Sequence, residues 1–447
     1  MTADEMKQLA ERTVRKVLHS GADTAEVSVF EKLAFSAEAR KGSIEKLIES
    51  VSNSIEIQLS VDHRKAFVSS SDFSEETVAT LINEGIELAR VMDRDEFFGL
   101  PEQQELGTAG GDLKLFDPEA LAIPAERKIR LALELEEKAL RLDRRIIPDG
   151  SSYSNSVRTF AFANSLGFCD AYRRTAHSLA LSCAVEDRPE RSENIGKRQS
   201  SYWYSTAVHA HELNSPDEIA AKAVSRTLRK IGARKPKTCE VPVILDPETC
   251  GGFLEGIAHA VNGGNIYRKA SFLVDRMGAA VGSPLVTIID DPLMAGKLGS
   301  RPFDSEGVAA RRNIVFERGI LTSYLLSSYQ GRKLGLKTTG NAGGIANFYL
   351  EPGGSTPQEI IASVRQGLYL TSLSGPGANW MTGDFSQGAQ GFWIENGELS
   401  YPVDEFTIAS SLPAMLAGIV MVGNDIDWRN ATAAPTIKIE RMTLSGT

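Results

Sequence analysis

The feature of this chain that most limits its fold is a period of two, apolar alternating with polar, recurring in separate short runs. Ala25-Glu26-Val27-Ser28-Val29-Phe30 and Ser54-Ile55-Glu56-Ile57-Gln58-Leu59-Ser60-Val61 alternate in this way, as do residues 156–162 and 177–185. Successive side chains on a strand point to opposite faces, so each run dictates a half-buried antiparallel strand with one face on a core. Helical spacing surrounds these runs. Residues 3–20 carry Leu9, Val14 and Leu18 among charges and stop before Gly21. Residues 75–92 set Val78, Leu81, Ile82, Ile86, Leu88 and Ala89 at helical spacing behind a Ser/Asp start. Residues 124–143 read as a charged amphipathic helix opened by Pro124, and Ser215-Pro216-Asp217-Glu218 opens another through Arg229 with a serine cap and acids at its positive end.

Between residues 24 and 70 the pattern predicts a meander of four strands. Ile44-Glu45-Lys46-Leu47-Ile48-Glu49-Ser50-Val51 has a helical spacing taken alone, and is assigned to a strand because it is short and lies between strand-like neighbours. Residues 93–122, rich in Gly, Pro and acids, read as a long loop. The helix-then-strands passage that follows echoes residues 3–70. From Glu240 the texture shifts to strands and turns: Val241-Pro242-Val243-Ile244-Leu245, Leu285-Val286-Thr287-Ile288-Ile289, Asn313-Ile314-Val315-Phe316-Glu317, and Phe392-Trp393-Ile394-Glu395 before the hairpin turn Asn396-Gly397, with short helices near 247–262 and 357–368. Trp393 and Tyr401 read as packing residues.

A single core stops growing beyond about 250–300 residues, so 447 residues imply more than one domain. Arg234-Lys235-Pro236-Lys237 reads as the linker. The expected fold class is α+β: residues 1–235 form a domain of helices packed on an antiparallel sheet, and residues 236–447 a β-rich domain, sandwich or barrel-like.

Charge and cysteine usage narrow the function. With 49 Lys+Arg against 58 Asp+Glu, the formal charge of −9 argues against nucleic-acid binding through phosphate contacts. The acidic N-terminus lacks the pattern of a secretory signal, and the longest nearly apolar run, 412–422, is about half the length a membrane span needs and contains Pro413 and Gly418. Cys169, Cys183, Cys239 and Cys250 are scattered without a C-x-x-C pair, which fits reduced thiols in the cytoplasm.

Few motifs carry chemistry. There is no G-x-S-x-G elbow, P-loop or post-strand G-x-G-x-x-G. His209-Ala210-His211-Glu212 would set two imidazoles on one face of a strand, with no third metal ligand indicated. Leu254-Glu255-Gly256-Ile257-Ala258-His259 puts Glu255 and His259 four apart, so on a helix they share a face. That pair is either a functional carboxylate and imidazole or a plain surface pair.

Several motifs in order resemble one family: Gly263-Gly264-Asn265-Ile266-Tyr267-Arg268-Lys269, Asp290-Asp291-Pro292, Pro302-Phe303-Asp304-Ser305-Glu306-Gly307-Val308, Leu325-Leu326-Ser327-Ser328-Tyr329, Gly340-Asn341-Ala342-Gly343-Gly344, Thr382-Gly383-Asp384-Phe385-Ser386, Gly391-Phe392-Trp393-Ile394-Glu395-Asn396-Gly397 and Val422-Gly423-Asn424-Asp425. They look like the TldD/PmbA family, and its PmbA (TldE) branch in particular, over nearly the whole chain. The resemblance implies a cytoplasmic zinc peptidase of two homologous subunits, TldD and TldE, that degrades or trims unfolded peptides, with an older label as DNA gyrase modulators. It also implies that zinc in TldD is held by the two histidines of an H-E-x-x-x-H helix and a C-terminal cysteine, with the glutamate as general base. Three protein ligands leave a position for a water whose pKa the metal lowers to near 7.

This sequence departs from that pattern. Leu254 stands where the first histidine would be, and no cysteine follows Cys250. The resemblance therefore implies a TldE-type subunit with no zinc and no metal site of its own, zinc being carried by a TldD-type partner in a heterodimer or higher assembly, a homodimer remaining open. Glu255 and His259 would be vestigial catalytic positions, and this chain alone would be inactive. Arg268 and Lys269 could face a carboxylate of partner or peptide. Asn341, Gly343 and Gly344 would allow close backbone approach, and Asp384 joins them as a candidate substrate- or partner-binding residue. An extended peptide would add to a sheet edge. Two other readings stand beside this one: a self-sufficient metal hydrolase using Glu255, His259 and His209 or His211, and a regulatory protein of the gyrase-modulator type without peptidase action.

Overall fold

Residues 24 to 70 fold as three strands, not four: β1 (Thr24–Arg40), β2 (Ser43–Val61) and β3 (Arg64–Ser70). β2 is longer than its alternating run, because an exposed stretch paired with β1 precedes its buried half, so Ile44–Val51 belongs to β2 rather than to a separate strand. The computed structural model describes residues 1–187, 197–375 and 377–446.

The helix α1 (Ala3–His19) precedes these strands and α2 (Glu75–Val91) follows them. The order then repeats, with α3 (Ala125–Leu142), β4 (Ile147–Asn164), β5 (Cys169–Asp187), β6 (Lys197–Ala207) and α4 (Pro216–Leu228). The echo read from the sequence is thus one of topology. The six strands make one sheet in the order β3-β2-β1-β4-β5-β6, with β1 and β4 antiparallel at its centre. All four helices pack on the face presented by odd-numbered residues: Val27, Val29, Ile55 and Ile57 under α1 and α2, and Phe35, Ala37, Leu179 and Leu181 under α3 and α4. The helices start where the sequence placed caps: Ser215 accepts from Glu218 N at 3.3 Å and Glu218 returns to Ser215 N at 2.8 Å, a reciprocal box.

The C-terminal part opens with β7 (Cys239–Leu245), α5 (Pro247–Val261) and α6 (Gly263–Tyr267). Short strands β8 (Ile288–Asp290), β9 (Asn313–Glu317), β10 (Ile320–Leu321) and β11 (Phe348–Leu350) follow, with α7 (Ser328–Leu334) between the last two. Next come α8 (Pro357–Ala362), β12 (Gln366–Ser374), β13 (Asp384–Glu395), β14 (Glu398–Ser411), α9 (Leu412–Ala417), β15 (Ile419–Val422), β16 (Thr432–Ala433) and β17 (Ile437–Ser445). One sheet runs β14-β13-β12-β7-β17-β15, and β14 also pairs with β17. That extra pairing joins the ends of β14-β13-β12-β7-β17, a barrel-like closure that removes free edges. The second sheet, β10-β9-β8-β11-β16, covers α5 from the other side. Phe253, Leu254, Ile257 and Val261 of α5 sit in the large core between them.

Two boundaries differ from expectation. Residues 285–287 are not strand, Leu285 being 50% exposed after Pro284. The helix expected to 368 ends at Ala362, because β12 begins at Gln366 and pairs with β7 and β13. The Asn396-Gly397 hairpin forms as read, with φ of 51° and 82° at the two residues. Trp393 is buried in the core and Tyr401 packs on it beneath Arg234, 4.7 Å from the ring.

Candidate functional site

Helix α5 is fixed at its start before it presents anything to solvent. Asp246 caps it, accepting from Thr249 N at 2.9 Å and from Thr249 Oγ1 at 2.8 Å. Burial pushes the Asp246 carboxyl up to about 6, the cap bonds and Arg226 at 3.8 Å pulling the other way. Glu248, in the first turn, is held by Arg226 at 3.2 Å, by Arg429 at 3.6 Å and by the Tyr202 hydroxyl. Arg429 lies 3.6 Å over the Trp203 ring and pairs with Asp427 at 2.6 Å. This cluster ties β6 of the N-terminal sheet to the helix.

Beyond it, Glu255 lines a cleft of ≈ 350 Å³ between α5, the end of β12 and the loop before β13. Glu255 and His259 are both exposed on α5, with neither a hydrogen bond nor an ion pair joining them. His259 instead stacks on Trp380 of that loop, ring centroids 5.2 Å apart and planes at 18°. The indole also presses on Gly256, where a β-carbon would lie 2.4 Å from a ring carbon, so glycine here is what lets the loop close down on the helix. Leu254 points the other way, fully buried in the core.

The other candidate residues do not converge there. Arg268 folds back on its own turn, donating to Gly264 O at 2.8 Å and Asn265 Oδ1 at 3.3 Å; Lys269 follows it with φ of 56°, and both are exposed. Gly263 lets α6 sit on α7, since a β-carbon would be 2.5 Å from Leu326. Asp384, exposed at the start of β13, accepts from Thr382 Oγ1 at 2.6 Å and closes the Trp380 loop. Asn341 is buried in a network, donating to Asp290 at 2.6 Å and accepting from Asn313 at 3.1 Å and Thr339 at 2.8 Å. Burial raises the Asp290 carboxyl to about 6. Gly343 and Gly344 carry φ of 89° and 98° in the turn after it, and Gly343 lines a second cleft. Thus Glu255 and His259 share one site with Asp384 at its margin, while the Asn341–Gly344 turn belongs to another.

The His209/His211 pair is corrected: β6 stops at Ala207, and the two residues sit at a 3₁₀ turn, Ala210–Glu212, rather than on a strand. Their rings are 5.6 Å apart, and His209 Nε2 lies 3.0 Å from Lys114 O. Among the described residues no group of three or more His, Cys, Asp and Glu is placed to hold a metal ion. At α5 the donors present do not fit a tetrahedral zinc: one imidazole stacked on an indole, one carboxylate, and Cys250 buried on the far side. Sequence reasoning missed Trp380 and the Glu248–Arg226–Arg429–Tyr202 cluster, since each is assembled from segments distant in the chain.

A two-faced antiparallel sheet joined to a barrel-like sheet around one long helix is a metallopeptidase architecture in the comparisons with known proteins. Models of the PmbA/TldA metallopeptidase match in three consecutive parts: domain 1 over residues 25–89, the central domain over 118–231 and the C-terminal domain over 238–446. The chain belongs to the PmbA/TldD metallopeptidase family. It is 35% identical to Metalloprotease PmbA of Escherichia coli O157:H7, covering 97% of this chain and 95% of that one. It is 26% identical to a Metalloprotease TldD homolog of Buchnera aphidicola over 72% of this chain and 73% of the other. The crystal structure of a Bacteroides thetaiotaomicron protein, named as a candidate modulator of DNA gyrase, superposes with a TM-score of 0.92 at 30% identity, covering 99% of each chain. TldE from Thermococcus kodakarensis superposes with a TM-score of 0.86 at 21% identity over 98% of this chain and all of that one, which shows the shared fold. No helix among the described residues is long and apolar enough to cross a membrane.

Proposed function

We propose that this chain is the TldE-type subunit of a heteromeric, cytoplasmic zinc metallopeptidase that degrades or trims unfolded peptides, and that it supplies structure and substrate binding while a TldD-type partner carries the zinc. The observation that carries the reading is the outer face of α5. Its one histidine is stacked on Trp380, and Leu254, at the position the family resemblance gives to the first zinc histidine, is committed to the core. A hydrolytic zinc site needs three protein ligands and a free position for water, and this face offers a single imidazole. Residues 1–235 and 236–447 act as the two domains of the subunit.

What remains on α5 suits binding. The ≈ 350 Å³ cleft has Glu255 on one wall and Trp380 on another, and Glu248 at its margin is already neutralised by two arginines. An extended chain laid there would meet a carboxylate and an aromatic face, which can hold a peptide without reading its sequence closely.

The test is zinc content and cleavage of an unfolded protein by the purified chain, alone and mixed with a TldD-type subunit. Zinc and cleavage only in the mixture support the reading. Stoichiometric metal with cleavage by the chain alone would favour a hydrolase built on Glu255 and His259.

A further inference from the structure

The helices leave the even-numbered face of the N-terminal sheet to the C-terminal part, which packs on Phe160 and Phe162 through Phe303, and the strand register builds two unlike rows beside that contact. Phe30 on β1 lies opposite Phe160 on β4, which lies opposite Tyr172 on β5; two residues along, Lys32 lies opposite Arg158, and Arg158 opposite Arg174. The aromatic row is packed, with Phe30 and Phe160 centroids 4.8 Å apart, Phe160 and Tyr172 5.5 Å apart, and Phe303 of the C-terminal part 5.3 Å from Tyr172. The cationic row has no such complement. Like charges set directly opposite one another across strands repel, and Arg301 adds another cation to the same cleft of ≈ 430 Å³.

Apart from Arg301, which faces the buried Asp290 carboxylate, these cations are not neutralised from within. Neither Lys32 nor Arg158 has a hydrogen-bond or ion-pair partner among the described residues. Arg174 donates to the carbonyl of Leu298 and Arg301 to that of Gly344, neutral acceptors both, and the Nε of Arg301 is buried without a partner. Glu31, the one carboxylate in the lining, is engaged at 2.8 Å by the chain's amino terminus. Burial, with Arg158 and Arg301 nearby, depresses the pKa of Arg174, yet a guanidinium in a protein stays charged. Uncompensated cations beside an aromatic wall are stabilised when an anion completes the set.

We infer that this cleft is a carboxylate-recognition subsite for peptide, in which Lys32, Arg158 and Arg174 take a carboxylate and the Phe30–Phe160–Tyr172 wall takes a neighbouring apolar side chain. Guanidinium forks match a carboxylate bidentately. The two rows are two residues apart on each strand, the interval at which side chains of an extended peptide return to one face, so an extended ligand matches them in step. Past the cationic row the same face continues in small residues, Ala34, Ser156 and Ala176, then Ser36, Ser154 and Ser178, leaving room for a chain to lie along it. The subsite rests on the peptide-binding part of the function proposed above. It lies apart from the α5 cleft.

Fluorescence anisotropy on the full chain tests it with labelled short peptides of neutral residues and one phenylalanine. One ends in a free carboxylate, one is its C-terminal amide, and one is the amide with a glutamate two residues from the phenylalanine. A carboxylate peptide is expected to bind at least about tenfold more tightly than the plain amide, as a charge-assisted pair warrants, and Arg158→Gln/Arg174→Gln is expected to abolish that preference. Which of the two carboxylate peptides binds better assigns the source, terminal or side-chain. Arg158→Gln alone, at an exposed and unpartnered residue, should reduce the preference and raise Tm by relieving repulsion. Equal binding of all three peptides, or a preference that survives the double substitution, would overturn the proposal. So would inorganic phosphate binding where no carboxylate peptide binds. No partner or metal is needed, so loss of the subsite leaves the subunit reading standing, and peptide binding without partner-dependent cleavage would remove the subunit reading alone.

Discussion

The two sheets of this molecule treat their surfaces in opposite ways. The C-terminal strands close on themselves through the β14–β17 pairing, while the N-terminal sheet buries one face under four helices and keeps on the other, beside its contact with Phe303, a cleft with a row of cations. Closure suits a scaffold that holds one helix still; a cleft lined by cations suits a surface that is read by something else. In a family named for metallopeptidase chemistry, the helix with the catalytic-looking sequence is here locked into the closed sheet by Leu254 and Trp380. The least compensated charges stand on the other sheet.

The strongest way to break this contrast is to reverse the locked position. Leu254→His puts an imidazole into a fully buried core site, and should cost about 3–5 kcal/mol in chemical denaturation while adding no zinc. Tight zinc binding by that variant would mean that α5 can host a metal after all.

A second effect concerns the buried carboxylates. Burial pushes Asp246 and Asp290 up to about 6 and Asp304 up to about 7. An acid with a raised folded-state pKa favours folding fully only below its unfolded value, near 4, and that contribution is lost as pH rises through the folded value. Tm of the C-terminal part should therefore fall between about pH 4 and pH 7. Asp246→Asn keeps an oxygen to cap Thr249 and should flatten the profile by on the order of 2 kcal/mol. A profile unchanged by this substitution would show that the site is more hydrated than its burial indicates.

The smallest effect separates the two sheets. Ser215→Ala removes the cap of α4, which packs on the N-terminal sheet, and should cost about 1 kcal/mol. Its denaturation curve should shift without altering the pH dependence assigned to the C-terminal carboxylates.

The elements were largely legible because their signals are local. The period of two named β1, β4 and β5, caps named α2 and α4, and Asn396-Gly397 named its hairpin. The number of strands before Ser70 was not, since Ile44–Val51 is exposed ribbon with no buried face to impose alternation. At the site, Glu255 and His259 were readable as neighbours because helical spacing alone joins them. Trp380 was not, because its place depends on a loop 124 residues away closing over Gly256. Lys32, Arg158 and Arg174 are unremarkable in the sequence and become a row only through the β1–β4–β5 register.

The central claim is that α5 has lost metal chemistry while the chain keeps a role in peptide handling. Metal analysis of the purified chain, paired with cleavage of an unfolded protein with and without a TldD-type subunit, tests it most directly. The account predicts less than a tenth of a zinc per chain, no cleavage alone, and zinc-dependent cleavage in the mixture, since a single imidazole binds zinc weakly. One zinc per chain with cleavage by the chain alone, abolished by His259→Ala, would contradict it.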